Sequence, residues 1–489
     1  MFNLKTDIPE FFSELSDIVR LFTGEYDDNR YEVEFLYCAD SSSLQNDKIR
    51  VKIQGNKNEI YEFAKIQNRG KNKLEFRKFY VRECKNILYK ALRAYFCRDM
   101  PWGALTGIRP SKLVYDYIND KTALEAIPQK LQNEFFVSNK KAKLITEIVK
   151  NQRRFFTRDS TFMNLYIHIP FCPSRCNYCS FVSTVIDKQQ HLVEPYIKKL
   201  CQEIAAAKEM ITTLNYKIYS VYIGGGTPTA LSDGQFERVL KAVTEGGLLR
   251  TYSKTAPVEF TCEAGRPETI TAEKLTLMKT YGVTRVSCNP QSLNHDTLLS
   301  IGRGHTVQDF YEAYERIQTI GFSINVDLIA GLNKETADDF ARTLKKVEQL
   351  RPQNITVHTL SRKRGSAIKE QSVKEFSGGI DKMTDFSIEF LSVQGYLPYY
   401  LYRQKMMLDN LENVGYCLPD MQCVNNITVM EEMLSVLACG AGAISKLVLP
   451  KQNRIERFAN IKDIKLYLER FDEQTDKKAD FFSSTKICI

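Results

Sequence analysis

No apolar run in this sequence approaches the roughly 20 residues of a bilayer-spanning helix, so a chain without a membrane span is expected. The opening MFNLKTDIPEFF lacks the basic, apolar and small-residue succession of a secretory leader. Thirteen cysteines in that context predict reduced thiols in the cytoplasm rather than a disulfide scaffold. No second Cys-x-x-Cys pair stands at finger or ribbon spacing, which leaves a four-ligand zinc site without a frame. The single tryptophan, Trp102, is expected to anchor packing. Charge of one sign is not extreme, since the net value is +9 over 489 residues. The basic residues gather at Lys140–Lys143 with Lys150, Arg153, Arg154 and Arg158. A solvated helix face ahead of a linker is expected there, not a nucleic-acid site.

What is present is concentrated in one loop. Cys172, Cys176 and Cys179 are spaced C-x3-C-x2-C, three thiols within eight residues. Clusters that only carry electrons are held by four cysteines. Three would ligate three irons of a cubane [4Fe-4S] cluster and leave the fourth open, as catalytic metal sites keep an open position. S-adenosylmethionine suits that vacancy, binding the iron through its amino and carboxylate groups. Electron transfer into such a pair yields a deoxyadenosyl radical, chemistry that belongs to the cofactor. His168 lies on the strand side of the loop, where a packed histidine and a ligand both remain open readings.

From Leu165 onward strand-like and helix-like segments alternate. Strands are expected at Leu165–Ile169, Tyr219–Ile223, Val258–Cys262, Arg285–Cys288, Ile324–Ile329 and Ile355–Leu360. Between them lie helical segments, among them Asp309–Ile320 and Ala337–Leu350. Six βα units in series predict an α/β fold: a parallel sheet closed or partly closed into a (β/α)6 barrel, short of the eight units of a full barrel. Before it, Tyr31–Tyr37 and Ile49–Ile53 read as strands around the breakers Ser41–Ser43 and Asn46–Asp47, and Lys85–Phe96 as a helix. The expected domains are an α+β domain over 1–156, the barrel over 157–374, and a mainly helical C-terminal domain or lid over 375–489. Phe155–Ser160 would be the linker, and Ile461–Asp472 a helix of the last domain.

Gly224-Gly-Gly-Thr-Pro-Thr229 follows the second strand. Consecutive glycines let a ligand approach the backbone, and a tight strand-to-helix turn capped by Ser232 explains them equally. At the rim beside an open cluster the turn is a candidate for the methionyl amino group. Polar residues also stand at three further strand ends: Glu263, Gln291 and Asp327. A buried carboxylate needs donors, so Asp327 is expected to pair with a basic residue such as Arg303, or to bind a ligand.

Together these residues resemble the HemN/HemW branch of radical SAM proteins. The resemblance runs through Tyr166-Ile-His-Ile-Pro-Phe-Cys172, the three cysteines, Gly224–Thr229, Gln291 and Asp327-Leu-Ile-Ala-Gly-Leu332. Pro101-Trp-Gly-Ala-Leu-Thr-Gly-Ile-Arg-Pro110, Tyr400-Leu-Tyr-Arg-Gln-Lys405 and Leu411-Glu-Asn-Val-Gly415 are similar to its HemZ-type subgroup. The resemblance implies Cys172, Cys176 and Cys179 as cluster ligands and Tyr166, Gly225 and Glu263 as holders of S-adenosylmethionine. It also implies that Tyr178, Gly226, Thr227, Gln291, Arg303 and Asp327 match positions that hold a second S-adenosylmethionine in the HemN type.

The implied activity is anaerobic oxidative decarboxylation of coproporphyrinogen III propionates to vinyls in haem biosynthesis. A flavodoxin or ferredoxin would donate the electrons, with no nucleic-acid partner and no membrane span expected. Arg362, Lys363, Arg364 or Arg403 would face tetrapyrrole carboxylates or form a solvated run. Two departures bear on this. Cys179 is followed by Ser180-Phe181, where the HemN type carries a fourth cysteine, and Tyr399-Tyr-Leu-Tyr-Arg403 replaces the His-Asn-x-x-Tyr-Trp of the HemW type. A haem-binding or haem-trafficking protein without turnover, and a radical enzyme acting on haem or another tetrapyrrole, are the alternative readings.

Overall fold

The computed structural model describes residues 2–23, 31–38, 48–64, 66, 73–155, 159, 161–247, 249, 258–361, 379–404, 407–452 and 454–486. The expected breakers at 41–43 and 46–47, the cations Arg362, Lys363 and Arg364, and most of the 155–160 linker lie outside the described residues. Two compact units are present: Met1–Thr146 with Asp409–Leu411, and Glu147–Leu408 with Glu412–Ile489.

In the first unit, Phe2–Thr6 (β1), Tyr31–Cys38 (β2), Lys48–Gln54 (β3) and Asn58–Ala64 (β4) form a sheet in that order. Every second residue of β3 (Ile49, Val51 and Ile53) is buried, as a half-covered strand requires. The core they join includes Leu15, Ile18 and Val19 of helix Phe12–Thr23, and Leu88 and Leu92 of helix Lys73–Phe96. The latter helix starts well before the expected Lys85. Trp102 is fully buried.

The second unit is built on Phe162–Ile169 (β5), Phe171–Cys172 (β6), Thr184–Val185 (β7), Lys217–Gly225 (β8), Glu259–Glu263 (β9), Arg285–Ser287 (β10), Ser323–Ala330 (β11), Asn354–Thr359 (β12), Leu397–Tyr402 (β13), Asn413–Cys417 (β14), Ser435–Cys439 (β15), Ile444–Leu449 (β16) and Arg454–Ala459 (β17). Eleven of these make one sheet, ordered β13-β14-β12-β11-β10-β9-β8-β5-β15-β16-β17. Its parallel centre, β5 and β8 to β12, is the expected six-unit partial barrel. The end strands β13 and β17 do not pair, so the sheet stays open.

Residues 379–489 are not a separate layer. β14 pairs antiparallel with β12, and β15 pairs in parallel with β5. The expected division at 374/375 therefore has no counterpart among the compact units, because backbone hydrogen bonds tie both flanks into one sheet. The N-terminal division also falls earlier than 156/157. The last turn of helix Asn139–Gln152 is bonded into the second unit, with Asn151 Nδ2 donating to Pro398 O at 2.9 Å and Gln152 Nε2 to Glu431 Oε1 at 3.2 Å. The expected helix over 461–472 is two: Ile464–Glu469, capped by Asp463, and Phe471–Lys486.

Polar and apolar residues alternate along the central strands. Leu165, Ile167, Val221, Ile223, Phe260, Val286, Val326 and Val357 are buried on the face that packs against helices. Residues one step away share the opposite face: Tyr166, Tyr222, Glu263, Asn325, Asp327 and His358. At the strand N-terminal ends this polar face is closed by helix Val424–Met430. Asn164 Nδ2 donates to Thr428 Oγ1 at 2.9 Å, and Glu259 accepts the amides of Val424 at 2.9 Å and Asn425 at 3.0 Å. The carboxylate thus caps the helix. The C-terminal rim of the strands is left as the approach to the polar interior.

Candidate functional site

The cysteine loop begins where β5 ends. β6 pairs with β7, which pins both ends of the loop, and Cys179 N donates to Cys176 O at 3.1 Å. The loop is also tied to the turn after helix His295–Ser300: Asn177 N donates to Ile301 O at 3.0 Å and Asn177 Nδ2 to Ser300 O at 2.9 Å. All three thiols are free. Burial pushes those of Cys172 and Cys179 up; Cys176 adds to the rise of both, and Cys172 to that of Cys179. Thr227 Oγ1 donates to Cys172 Sγ at 3.5 Å, and Arg266 Nη1 to Cys176 Sγ at 2.7 Å. Among the described residues no three His, Cys, Asp or Glu side chains close around a metal position. The donor chemistry nonetheless fits an iron–sulfur cluster, with soft thiols in one loop and hydrogen-bond donors on two of the sulfurs.

Gly225 has φ +110°, and a Cβ there would lie 2.2 Å from the His168 ring. A Cβ on Gly226 would meet the carbonyl oxygen of Phe171 at 2.5 Å. Only glycine lets this turn press against the end of β5. Its amides are engaged by the chain: Gly225 N donates to Glu263 Oε2 at 3.0 Å, Gly226 N to Ile169 O at 2.7 Å and Thr227 N to Phe171 O at 2.7 Å. The turn therefore braces the cysteine loop, and Ser232 caps the next helix as expected. His168 is packed beneath Gly225, and burial lowers its pKa to about 4, so it is a neutral core ring.

Glu263 is the centre of the second group. Tyr222 Oη donates to Glu263 Oε1 at 2.6 Å. Burial raises this carboxyl to about 7 against the lowering effect of those two bonds, and the Asp327 charge adds to the rise. Tyr166 pairs with Tyr222 across β5 and β8, with rings stacked at 6.1 Å. Burial and the Glu263 charge hold the Tyr166 phenol in its neutral form.

Asp327 is not paired with Arg303. Asn289 Nδ2 and Asn325 Nδ2 each donate to it at 2.8 Å, and His358 Nε2 lies 3.6 Å from Oδ2. Burial pushes the carboxyl up, but His358, Asn325 and Thr356 outweigh it and hold Asp327 below its ordinary value. Arg303 is instead bonded to Gly265 O at 2.7 Å and to Tyr178 Oη at 2.9 Å. The reason is position: Arg303 follows the turn that holds the cysteine loop, whereas Asp327 faces Asn289, just past the end of β10, and His358 on β12. Gln291 sits at φ +67°, fastened to β11 by Gln291 N→Asp327 O at 3.1 Å and Ile329 N→Gln291 O at 3.0 Å. Its Oε1 is buried and has no hydrogen-bond partner among the described residues. Arg403 is buried beside Glu412 and pushed down to about 10 by burial, so it belongs to no solvated run.

The expected residues thus fall into adjoining groups at one rim: the thiols with Thr227; Tyr166, Gly225 and Glu263; Tyr178 with Arg303; and Gln291 with Asp327. Sequence reading missed Tyr222, Arg266, Asn289, His358 and Tyr402, whose Oη lies 3.4 Å from His358 Nδ1. For Tyr222, Asn289 and His358 the available signal was the polar–apolar alternation, which carries on to the strand ends. Arg266 carried none.

Comparison with known proteins agrees with this geometry. The radical SAM superfamily matches residues 166–347. The "Oxygen-independent coproporphyrinogen-III oxidase-like protein HemZ" of Bacillus subtilis (strain 168) is 37% identical over 403 residues, covering 81% of this chain and 79% of that protein. "Heme chaperone HemW" of the same organism is 34% identical over 196 residues, 40% of this chain and 49% of HemW, so the match spans about half of that relative. The solved structure of coproporphyrinogen III oxidase (HemN) from Escherichia coli superposes with a TM-score of 0.52 at 25% identity, covering 65% of this chain and 71% of HemN. Fold and relatives coincide, and the chain belongs to the radical SAM superfamily, in its HemN-like family.

Proposed function

We propose that this protein is a radical SAM enzyme that decarboxylates the propionates of coproporphyrinogen III to vinyls without oxygen. The observation that carries the reading is the meeting of Cys172, Cys176 and Cys179 with Glu263 at one rim, in a chain aligned over most of a HemZ-type relative. Bound at that rim, a [4Fe-4S] cluster and S-adenosylmethionine supply a carbon-centred radical able to take hydrogen from an unactivated C–H bond. Each of two propionates then gives a hydrogen atom to that radical, releases carbon dioxide and passes one electron to a one-electron acceptor. A donor of the flavodoxin or ferredoxin class supplies reducing electrons.

The chain's own residues bind, orient and shield. Cys172, Cys176 and Cys179 are the thiol ligands, with Thr227 orienting Cys172 through its hydroxyl. Glu263, once deprotonated, is an acceptor for an ammonium group, and Tyr222 and Gly225 hold its oxygens in place. The neutral phenol of Tyr166 walls the same space. Gln291 Oε1, without a partner among the described residues, is an acceptor suited to a hydroxyl or amine. Tyr178 with Arg303, and Asp327 with its amide partners, are already bonded within the chain. A second S-adenosylmethionine would have to compete with those bonds. Helix Val424–Met430 covers the polar face at the opposite end, where Asn164 and Glu259 bond to it.

Anaerobic incubation with coproporphyrinogen III, S-adenosylmethionine and reductant should release carbon dioxide and form protoporphyrinogen IX. Cleavage of S-adenosylmethionine without conversion would reject this substrate in favour of another tetrapyrrole. Stoichiometric haem uptake with no deoxyadenosine above background would reject turnover altogether.

A further inference from the structure

Arg266 lies on the loop after β9, outside the cysteine motif, and is 4% exposed. All three of its nitrogens are engaged: Nη1 donates to Cys176 Sγ at 2.7 Å, Nη2 to Ser174 Oγ, and Nε to Glu268 Oε1 at 3.1 Å. The guanidinium is a rigid planar fork, so bonds in three directions hold it against the middle cysteine. Glu268 Oε2 lies 3.6 Å from Nδ1 of His305, a buried imidazole that burial keeps neutral, and the backbone of Arg266 is held as well. Thr269 N and Thr269 Oγ1 donate to Arg266 O at 2.9 and 2.7 Å, and Thr229 of the glycine turn meets Thr269 at 2.6 Å. A cation built this firmly onto a ligand sulfur has a consequence for redox chemistry. Cluster potentials follow net charge and the hydrogen bonds to sulfur. The reduced cluster carries one more negative charge than the oxidised one, so a cation on its sulfur stabilises the reduced form preferentially.

We infer that Arg266 is a positioning residue whose hydrogen bond to Cys176 raises the reduction potential of the cluster bound at this loop. The inference rests on Cys176 being a cluster ligand, as the proposed function holds. The step is a one-electron uptake by the cluster from an added reductant, here titanium(III) citrate, with no bond made or broken.

The test compares reconstituted full-length wild type, R266Q and R266K by iron content and by a redox titration monitored by electron paramagnetic resonance, without S-adenosylmethionine. R266Q should retain iron while its reduced-to-oxidised ratio at a fixed potential falls about tenfold, equivalent to about 59 mV for one electron. R266K should fall in between, because a point charge remains without the fork. A midpoint unchanged from wild type in iron-loaded R266Q overturns the inference. Should R266Q lose iron, R266K decides: a lowered midpoint supports the inference, whereas an unchanged midpoint, or iron loss from a folded chain, assigns Arg266 to scaffolding alone. A wild type that takes up no iron overturns the ligand assignment itself, an outcome distinct from an unshifted midpoint.

Discussion

The phenol of Tyr222 donates a 2.6 Å hydrogen bond to the carboxyl of Glu263, a residue that burial raises to about 7. Deprotonated Glu263 is the form that accepts an ammonium group. Affinity for S-adenosylmethionine is therefore expected to rise as pH climbs through about 7, measured by equilibrium dialysis. Y222F removes a bond that favours the charged form, so the rise should move to higher pH. E263Q should abolish it. The same raised value makes the folded state bind an extra proton between the ordinary carboxylate range and about 7, so Glu263 lowers stability as pH rises through that window. An affinity profile identical in wild type and Y222F would refute the assignment.

The closeness of Gly225 to His168 gives a second expectation. G225A places a methyl 2.2 Å from the ring on a backbone at φ +110°. Overpacking of this kind costs about 1–3 kcal/mol, and left-handed strain adds to it. Urea denaturation should show a lower midpoint. G234A, within a helix and where a Cβ would meet nothing within 4 Å, should not lower it.

Behind the rim, Lys478 and Glu203 form a fully buried ion pair that ties helix Phe471–Lys486 to helix Gln190–Thr213. Glu203 also accepts from Gly440 N at 2.7 Å, Tyr467 Oη at 2.7 Å and Asn460 Nδ2 at 2.8 Å, whereas Lys478 donates to one further acceptor among the described residues, Ala438 O at 2.7 Å. E203Q strands a buried cation and should cost about 3–5 kcal/mol. K478M should cost less, because three donors still serve the carboxylate. E203Q/K478M should recover part of the E203Q loss. Hydrogen exchange over 471–486 reports the same order, and equal costs for the two single variants would contradict it.

Cys176→Ala is expected to lose cluster iron and all deoxyadenosine formation while the circular dichroism spectrum is retained. Cys201→Ala, a partly buried thiol on helix Gln190–Thr213 whose Sγ lies 3.8 Å from Arg238 O, should keep both. Iron binding equal to wild type in C176A would remove the thiol from the ligand set.

Much of this fold was legible before any coordinates. The strands begin and end within a few residues of their expected positions because period-two alternation and glycine or proline punctuation are local signals. The site was partly legible for the same reason: Cys172 to Cys179 and Gly224 to Thr229 are contiguous. The partners of Asp327 were not, since Arg303 looked suitable by charge while the actual partners are Asn325 two residues back on the same strand, Asn289 just past β10 and His358 on β12. The division at 374/375 failed similarly, because nothing local in Ser435–Cys439 says that it pairs with Phe162–Ile169.

By itself, then, the sequence determined the run of βα units, the three-thiol loop and the glycine turn, each encoded within a dozen residues. Only the tertiary structure decided that Arg266 meets Cys176 across 90 positions of chain, that the C-terminal strands complete the sheet, and that Glu263 sits between Tyr222 and Gly225. Such contacts depend on strand order and register. Those are chosen by the packing of the whole sheet, which no short stretch of residues carries.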